Sequence, residues 1–289
     1  MKQKALAIFI GLIMVLSAFA GFVLRGGESP AEEARGVDTG SLADFGVPGR
    51  LIDWPFTSIG DLLDTCPENL VTAYWIDLER SQNLTDAVRA TISSILPNVG
   101  LSYGENIYAT KVERVGAGVF NDSWIEFHWM APAQVRYEGL MIPYEDYMII
   151  PWSAEYSTVM GRPALFGPQA TVERVLDVIS GRSSTDRFSL PYGEQADFQL
   201  ASLGKSSTTD LYFPLGGGFQ ELYLGISAQD DAYALIVKCI SPNSSTDQKL
   251  RVIVNAHNLT LSTSDGYIEI TGKIASDELE KVLGTLLSP

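Results

Sequence analysis

Two cysteines and two histidines are all this chain offers among the side chains that most often bind metals or serve as nucleophile and base. Cys66 and Cys239 stand far apart and lack metal-site spacing, which would group four N or S ligands. They either form one bridge in an oxidising exterior or remain two buried thiols. A Ser-His-Asp site would need His128 or His257 as its base. His128 shares a strand face with Trp124 and Glu126, because strand side chains repeat every second residue. Glu126 and His128 are too few ligands for a metal site. The plainer expectation is a packed histidine paired with a carboxylate.

Basic residues are also scarce. Lys and Arg number 20 against 35 Asp and Glu, a net charge of −15. That balance argues against nucleic acid, which needs a basic footprint, and against anionic lipid surfaces. It suits a solvated acidic face.

Catalytic motifs are missing as well. There is no Gly-x-Ser-x-Gly elbow and no His-Glu-x-x-His. Leu203-Gly204-Lys205-Ser206 resembles the end of a phosphate loop, but Gln199 stands where the loop needs glycine. Ser202-x-x-Lys205 ends an expected strand rather than starting a helix. Asp230-Asp231 and Glu145-Asp146 lack the alternating spacing of a calcium loop. No catalytic residue, metal ligand or cofactor is assigned.

After Leu24 no long apolar run returns. Before it, Ala5 to Leu24 is about twenty uncharged residues behind Lys2 and Lys4, enough to span a bilayer. It reads as an uncleaved signal anchor or as a signal peptide cut after Ala18-Phe19-Ala20. A pilin-type leader would place Glu or Gln where Phe9 stands. The lysines hold the N-terminus inside, so the body lies outside, anchored by a single span or secreted if the leader is cut. Residues 25–50, rich in Gly, Glu and Ala, read as a flexible stalk. Sequons at Asn83, Asn121, Asn243 and Asn258 fit a glycosylated exterior.

The body reads as α+β: antiparallel sheets with helices on one face. A first domain is expected over 51–181, a linker over 182–195 and a second domain over 196–289. Strands are expected at Leu70–Leu78, Tyr108–Val115, Ser123–Trp129, Tyr137–Ile142, Tyr147–Ile150, Arg162–Phe166, Asp197–Leu203, Asp210–Phe213, Phe219–Ser227 and Tyr233–Ile240. Asp265-Gly266 signals a closing hairpin. Helices are expected after Asn83 or Thr85, over Val172–Ile179, over Ser245–Ala256, and after Ser276. Thr85-Asp86 and Thr246-Asp247 open one helix in each half. Glu173-Arg174-Val175-Leu176 and Glu280-Lys281-Val282-Leu283 close them, so the halves may be read as a duplicated α+β unit or as chance likeness.

Aromatics crowd one stretch. Trp124, Trp129, Tyr144, Tyr147 and Trp152 either pack in the core or form a binding patch on the sheet. The Met-Lys start, the Ser17-Ala18-Phe19-Ala20-Gly21 end of the apolar run and the Thr-rich turns before helices resemble function-unknown exported proteins of methanogenic archaea. The resemblance implies location and shared architecture, and carries no active residues. The expected role is a membrane-anchored binding or structural module of the cell envelope, meeting an envelope glycan or another surface protein. The alternative is an extracytoplasmic hydrolase using carboxylates.

Overall fold

The computed structural model describes residues 49–93, 96–132, 140–182, 184–204 and 214–287. The apolar run 5–24, nearly all of the expected stalk and the strand expected at 210–213 lie outside them. Among the described residues, no helix is long and apolar enough to cross a membrane.

Strand β1 (Ile52–Asp53) leads to a short helix, α1 (Ile59–Leu63). Ser58 and Asp61 start it by each accepting from the other's backbone N–H. Strand β2 (Leu70–Asp77) is buried along nearly its whole length, as an apolar run with both faces covered should be. Helix α2 (Gln82–Ile92) is capped by Ser81, whose Oγ accepts the Leu84 N–H at 3.2 Å. The cap therefore falls before Asn83 and Thr85, the positions expected from sequence. Helix α3 (Val99–Tyr108) occupies ground where the sequence suggested no helix.

Strands β3 (Val112–Phe120) and β4 (Trp124–Met130) form a hairpin. β5 (Ile142–Tyr144), β6 (Tyr147–Pro151), β7 (Ser157–Val159), β8 (Gly161–Arg162) and β9 (Ala164–Gly167) are shorter. Helix α4 (Gln169–Ile179) follows. The second half adds β10 (Phe198–Leu203), β11 (Glu221–Ala228), β12 (Ala232–Ile240), helix α5 (Ser244–His257), β13 (Thr260–Ser264), β14 (Tyr267–Ala275) and helix α6 (Leu279–Leu287).

Twelve strands form one sheet in the order β13-β14-β12-β11-β10-β2-β3-β4-β9-β7-β6-β5, each neighbour antiparallel. β1 and β8 make a small parallel pair. The chain is thus α+β with a large antiparallel sheet. β10 lies between β2 and β11, with Phe198 opposite Ile76 and Ile226. The segments 51–181 and 196–289 therefore share one sheet instead of building separate ones. The expected linker is itself packed: Phe188 is buried, and the Ser189 and Leu190 N–H groups donate to buried Glu221.

Helices cover both faces, which corrects the one-face expectation. Strand alternation sends Tyr74 and Ile76 to one side and Ala73 and Trp75 to the other. On the first side sit α2, α3, α5 and α6, contributing Leu84, Val88, Leu101, Leu250, Ile253, Val282 and Leu283. On the second sit α1 and α4, contributing Ile59, Leu62, Val172, Val175 and Leu176. Each such side chain contributes roughly 1.5–3 kcal/mol on burial. α4 and α6 carry the two similar tetrads, yet they occupy opposite faces. The likeness of the halves does not extend to their arrangement.

Candidate functional site

The aromatic stretch divides between the faces. Trp129, Tyr144 and Tyr147 pack on the α1–α4 side. There the Arg114 guanidinium lies 5.4 Å from the Trp129 ring centre, and the Tyr144 hydroxyl donates to Asp177 at 2.9 Å. Tyr147 is buried under Arg50. Tyr147 is core, while Trp129 and Tyr144 are partly buried against it. Trp124, alternating with Ile125, Phe127 and Trp129, belongs to the other side.

On that side Trp124, Tyr156 and Phe166 form a closed triangle of rings. Centroids are 5.7 Å apart for Trp124–Tyr156, 6.0 Å for Trp124–Phe166 and 5.9 Å for Tyr156–Phe166. Cross-strand neighbours bring this about: β9 lies between β4 and β7, so Trp124 and Phe166 meet the residue just ahead of β7. The turn from Trp152 to Tyr156 is tight. The Trp152 N–H donates to the Tyr156 carbonyl at 2.9 Å, and Ser153 Oγ accepts from the Glu155 and Tyr156 N–H groups at 3.1 Å each. Phe166 is buried, while Tyr156 is 36% and Trp152 50% exposed. The result is a ledge with a buried ring behind and open rings in front. Tyr156 belongs to the crowded aromatic stretch of the sequence, whereas Phe166 is the member that sequence reading did not place there.

Behind the ledge lies a closed polar network. His128 stacks on Phe166 at 6.0 Å. Its Nε2 meets Glu126 Oε2 at 2.7 Å, and its Nδ1 meets the Tyr108 hydroxyl at 2.7 Å. Glu126 also accepts the Val99 and Gly100 N–H groups at 2.7 and 2.6 Å. An ionised carboxylate only accepts, so His128 donates from Nε2 and a neutral ring takes the tyrosine proton at Nδ1. Burial, with the Glu126 charge adding to it, pushes the Tyr108 phenol far above its usual range, which keeps that proton in place. Glu126 supplies the charge that favours a helix N-terminus, since Asn98 makes no side-chain cap there. Glu126 and His128 have no exposed surface. The network cannot meet a substrate; it fixes α3 to β4. Among the described residues no three His, Cys, Asp or Glu gather to hold a metal.

A second concavity opens on the α1–α4 side, at the ends of β2, β3, β10 and β11. It measures about 350 Å³ and is lined by Trp75, Asp77, Arg80, Arg114, Asp197 and Gln199, among others. Its charges come from strand ends scattered through the chain, which no local motif announces.

The cysteines are free and buried. Cys66 packs with α1 and Cys239 on the opposite face, so the sheet separates them, and of the two readings the buried free thiols hold. Asn83, Asn121, Asn243 and Asn258 are all exposed. Two of them already have backbone roles. Asn243 caps α5, its Oδ1 accepting from the Thr246 N–H at 2.9 Å, with its amide nitrogen against Gly218. Asn258 ends α5 at φ 51°, a conformation asparagine tolerates well. His257 pairs with Glu278 at 3.1 Å.

No protein-family model matches the sequence, and no curated protein does. Solved structures of TP0453 do resemble the fold. Crystal form III matches with a TM-score of 0.50 at 11% identity, covering 81% of this chain and 99% of that one. Crystal form IV matches with a TM-score of 0.50 at 10% identity, covering 77% and 96%. At such identity the likeness concerns the fold alone.

Proposed function

We propose that this is a membrane-anchored, extracytoplasmic binding protein whose ledge at Trp124, Trp152 and Tyr156 receives an envelope glycan. The carrying observation is the half-exposed Trp152 beside open Tyr156, braced by the buried Phe166. A large aromatic ring left in water is costly, and such rings serve as anchors once a partner covers them. Sugar rings present flat C–H faces that match the ledge. The uncharged run 5–24 and the acidic body support display outside the cell. The four exposed sequons support the same location.

The test is co-sedimentation of the full chain with isolated envelope polysaccharide. Trp152→Ala with Tyr156→Ala should weaken binding roughly tenfold or more. Equal sedimentation of both proteins removes the ledge from the account. Retention on protein-coated envelope but not on purified polysaccharide would assign the ledge to a protein partner instead. Fractionation of the native chain into cytosol, away from membrane, would overturn the location.

A further inference from the structure

We propose that the cleft at the ends of β2, β3, β10 and β11 is a separate binding site for a neutral monosaccharide, held through two of its hydroxyls. It lies on the α1–α4 side, opposite the ledge, and stands or falls independently of the ledge.

The argument rests on unspent hydrogen bonding. Asp77 is anchored by one oxygen, Oδ1, which accepts the Glu79 N–H at 2.9 Å. Its other oxygen faces Arg114 Nε across 3.8 Å. Asp197 repeats the arrangement. Oδ2 accepts the Ala228 N–H at 2.7 Å, and Oδ1 faces Arg80 Nε across 3.7 Å. Both are loose ion pairs, too long for a direct hydrogen bond. Each fixed carboxylate thus sits beside a guanidinium without a hydrogen bond joining them.

A hydroxyl matches such a pair because it accepts from the guanidinium and donates to the carboxylate at once. An anionic ligand would meet the two aspartates, and a cationic one the two arginines. The four charges cancel, so a neutral ligand enters without leaving a charge unpaired. Two such pairs suit two hydroxyls of one ligand.

The floor adds an independent sign. The Trp75 indole N–H is buried and has no hydrogen-bond partner. Unsatisfied buried donors are rare and costly, and a ligand oxygen reaching the cleft floor would answer the Trp75 indole. Gln199 is already committed: its Oε1 accepts the Ile59 N–H at 2.8 Å and its Nε2 donates to the Ala196 carbonyl at 3.3 Å. It forms a fixed wall. A volume of about 350 Å³ accommodates one sugar ring rather than an extended chain.

The experiment titrates the full chain with glucose, galactose, mannose and N-acetylglucosamine, following calorimetric heat and the indole N–H resonance of Trp75. Saturable binding of at least one sugar, with a shift of that resonance, is expected. Arg80→Ala removes an exposed side chain without disturbing the fold and should weaken binding roughly tenfold. Asp197→Asn should weaken it too. The proposal is overturned if none of the four sugars binds, if Arg80→Ala binds as well as the parent, or if glycine or inorganic phosphate saturates the cleft in their place.

Discussion

At the scale of single residues, burial decides what the rare reactive groups can do. Cys239, on β12, faces the side of the sheet that α5 covers, and burial pushes its thiol up to about 12 from an ordinary 9.0. Cys66 is pushed further in the same direction. The phenols of Tyr74 and Tyr108 are also raised by burial. The linkage sign follows. Above the ordinary value the unfolded chain gives up these protons while the folded chain keeps them, so unfolding releases protons and stability falls as pH rises. Stability is fully present below pH 9.0 and declines through the window up to about 12 for Cys239. Urea midpoints measured across that range should drop steadily, and an alkylating reagent should label both thiols only after unfolding, with no reductant added. A flat alkaline profile, or thiols that appear only after reduction, would contradict this. The sequence left the bridge and the free thiols both open, because two cysteines distant in the chain give no hint of which sheet face each will join.

At the scale of elements, α3 separates what was legible from what was not. Strongly patterned segments were readable: β2, α4, the Asp265-Gly266 hairpin and α6 fall close to where alternation, 3.6-residue spacing or turn residues put them. The 245–256 stretch is helical as expected, and Asn243 caps it. Helix α3, by contrast, contains Gly100 and Gly104, which weaken intrinsic helix formation. Tyr108, read as a strand start, is its last residue. Tertiary contacts override the propensity here. A Cβ on Gly100 would lie 2.2 Å from His128 Nε2, and one on Gly104 would lie 2.7 Å from Val112 Cγ2. Glycine is what lets the helix approach β4 closely enough for Glu126 to cap it. Gly100→Ala should therefore destabilise the fold by about 2 kcal/mol or more, although alanine favours helices. A stabilised Gly100→Ala in chemical denaturation would show that propensity, not fit, governs α3. The candidate ledge was half legible for the same reason: composition located the aromatic cluster, but period-two alternation alone could not say which face each strand turns to water.

At the scale of the whole molecule, the position of β10 governs cooperativity. Pairing β10 with β2 on one side and β11 on the other fuses the segments expected as separate domains. Calorimetry of the body should give one cooperative transition, and residues 49–181 or 196–289 expressed alone should not fold, since each would expose a long central strand edge and half of two cores. Two resolved transitions would restore the two-domain reading. Composition could not reveal the fusion, because the stretch 182–195 has the polar, glycine-containing character of a linker while Glu221 holds it against the sheet.

Helix α6, made of the final apolar turn Leu279–Leu287, packs against α2 near the front of the described chain. A ribosome must therefore have made α6 before the nascent polypeptide can seal that interior. Until then the oily stripe of α2 stays bare, and a premature stop ahead of α6 would leave it so for the life of the product.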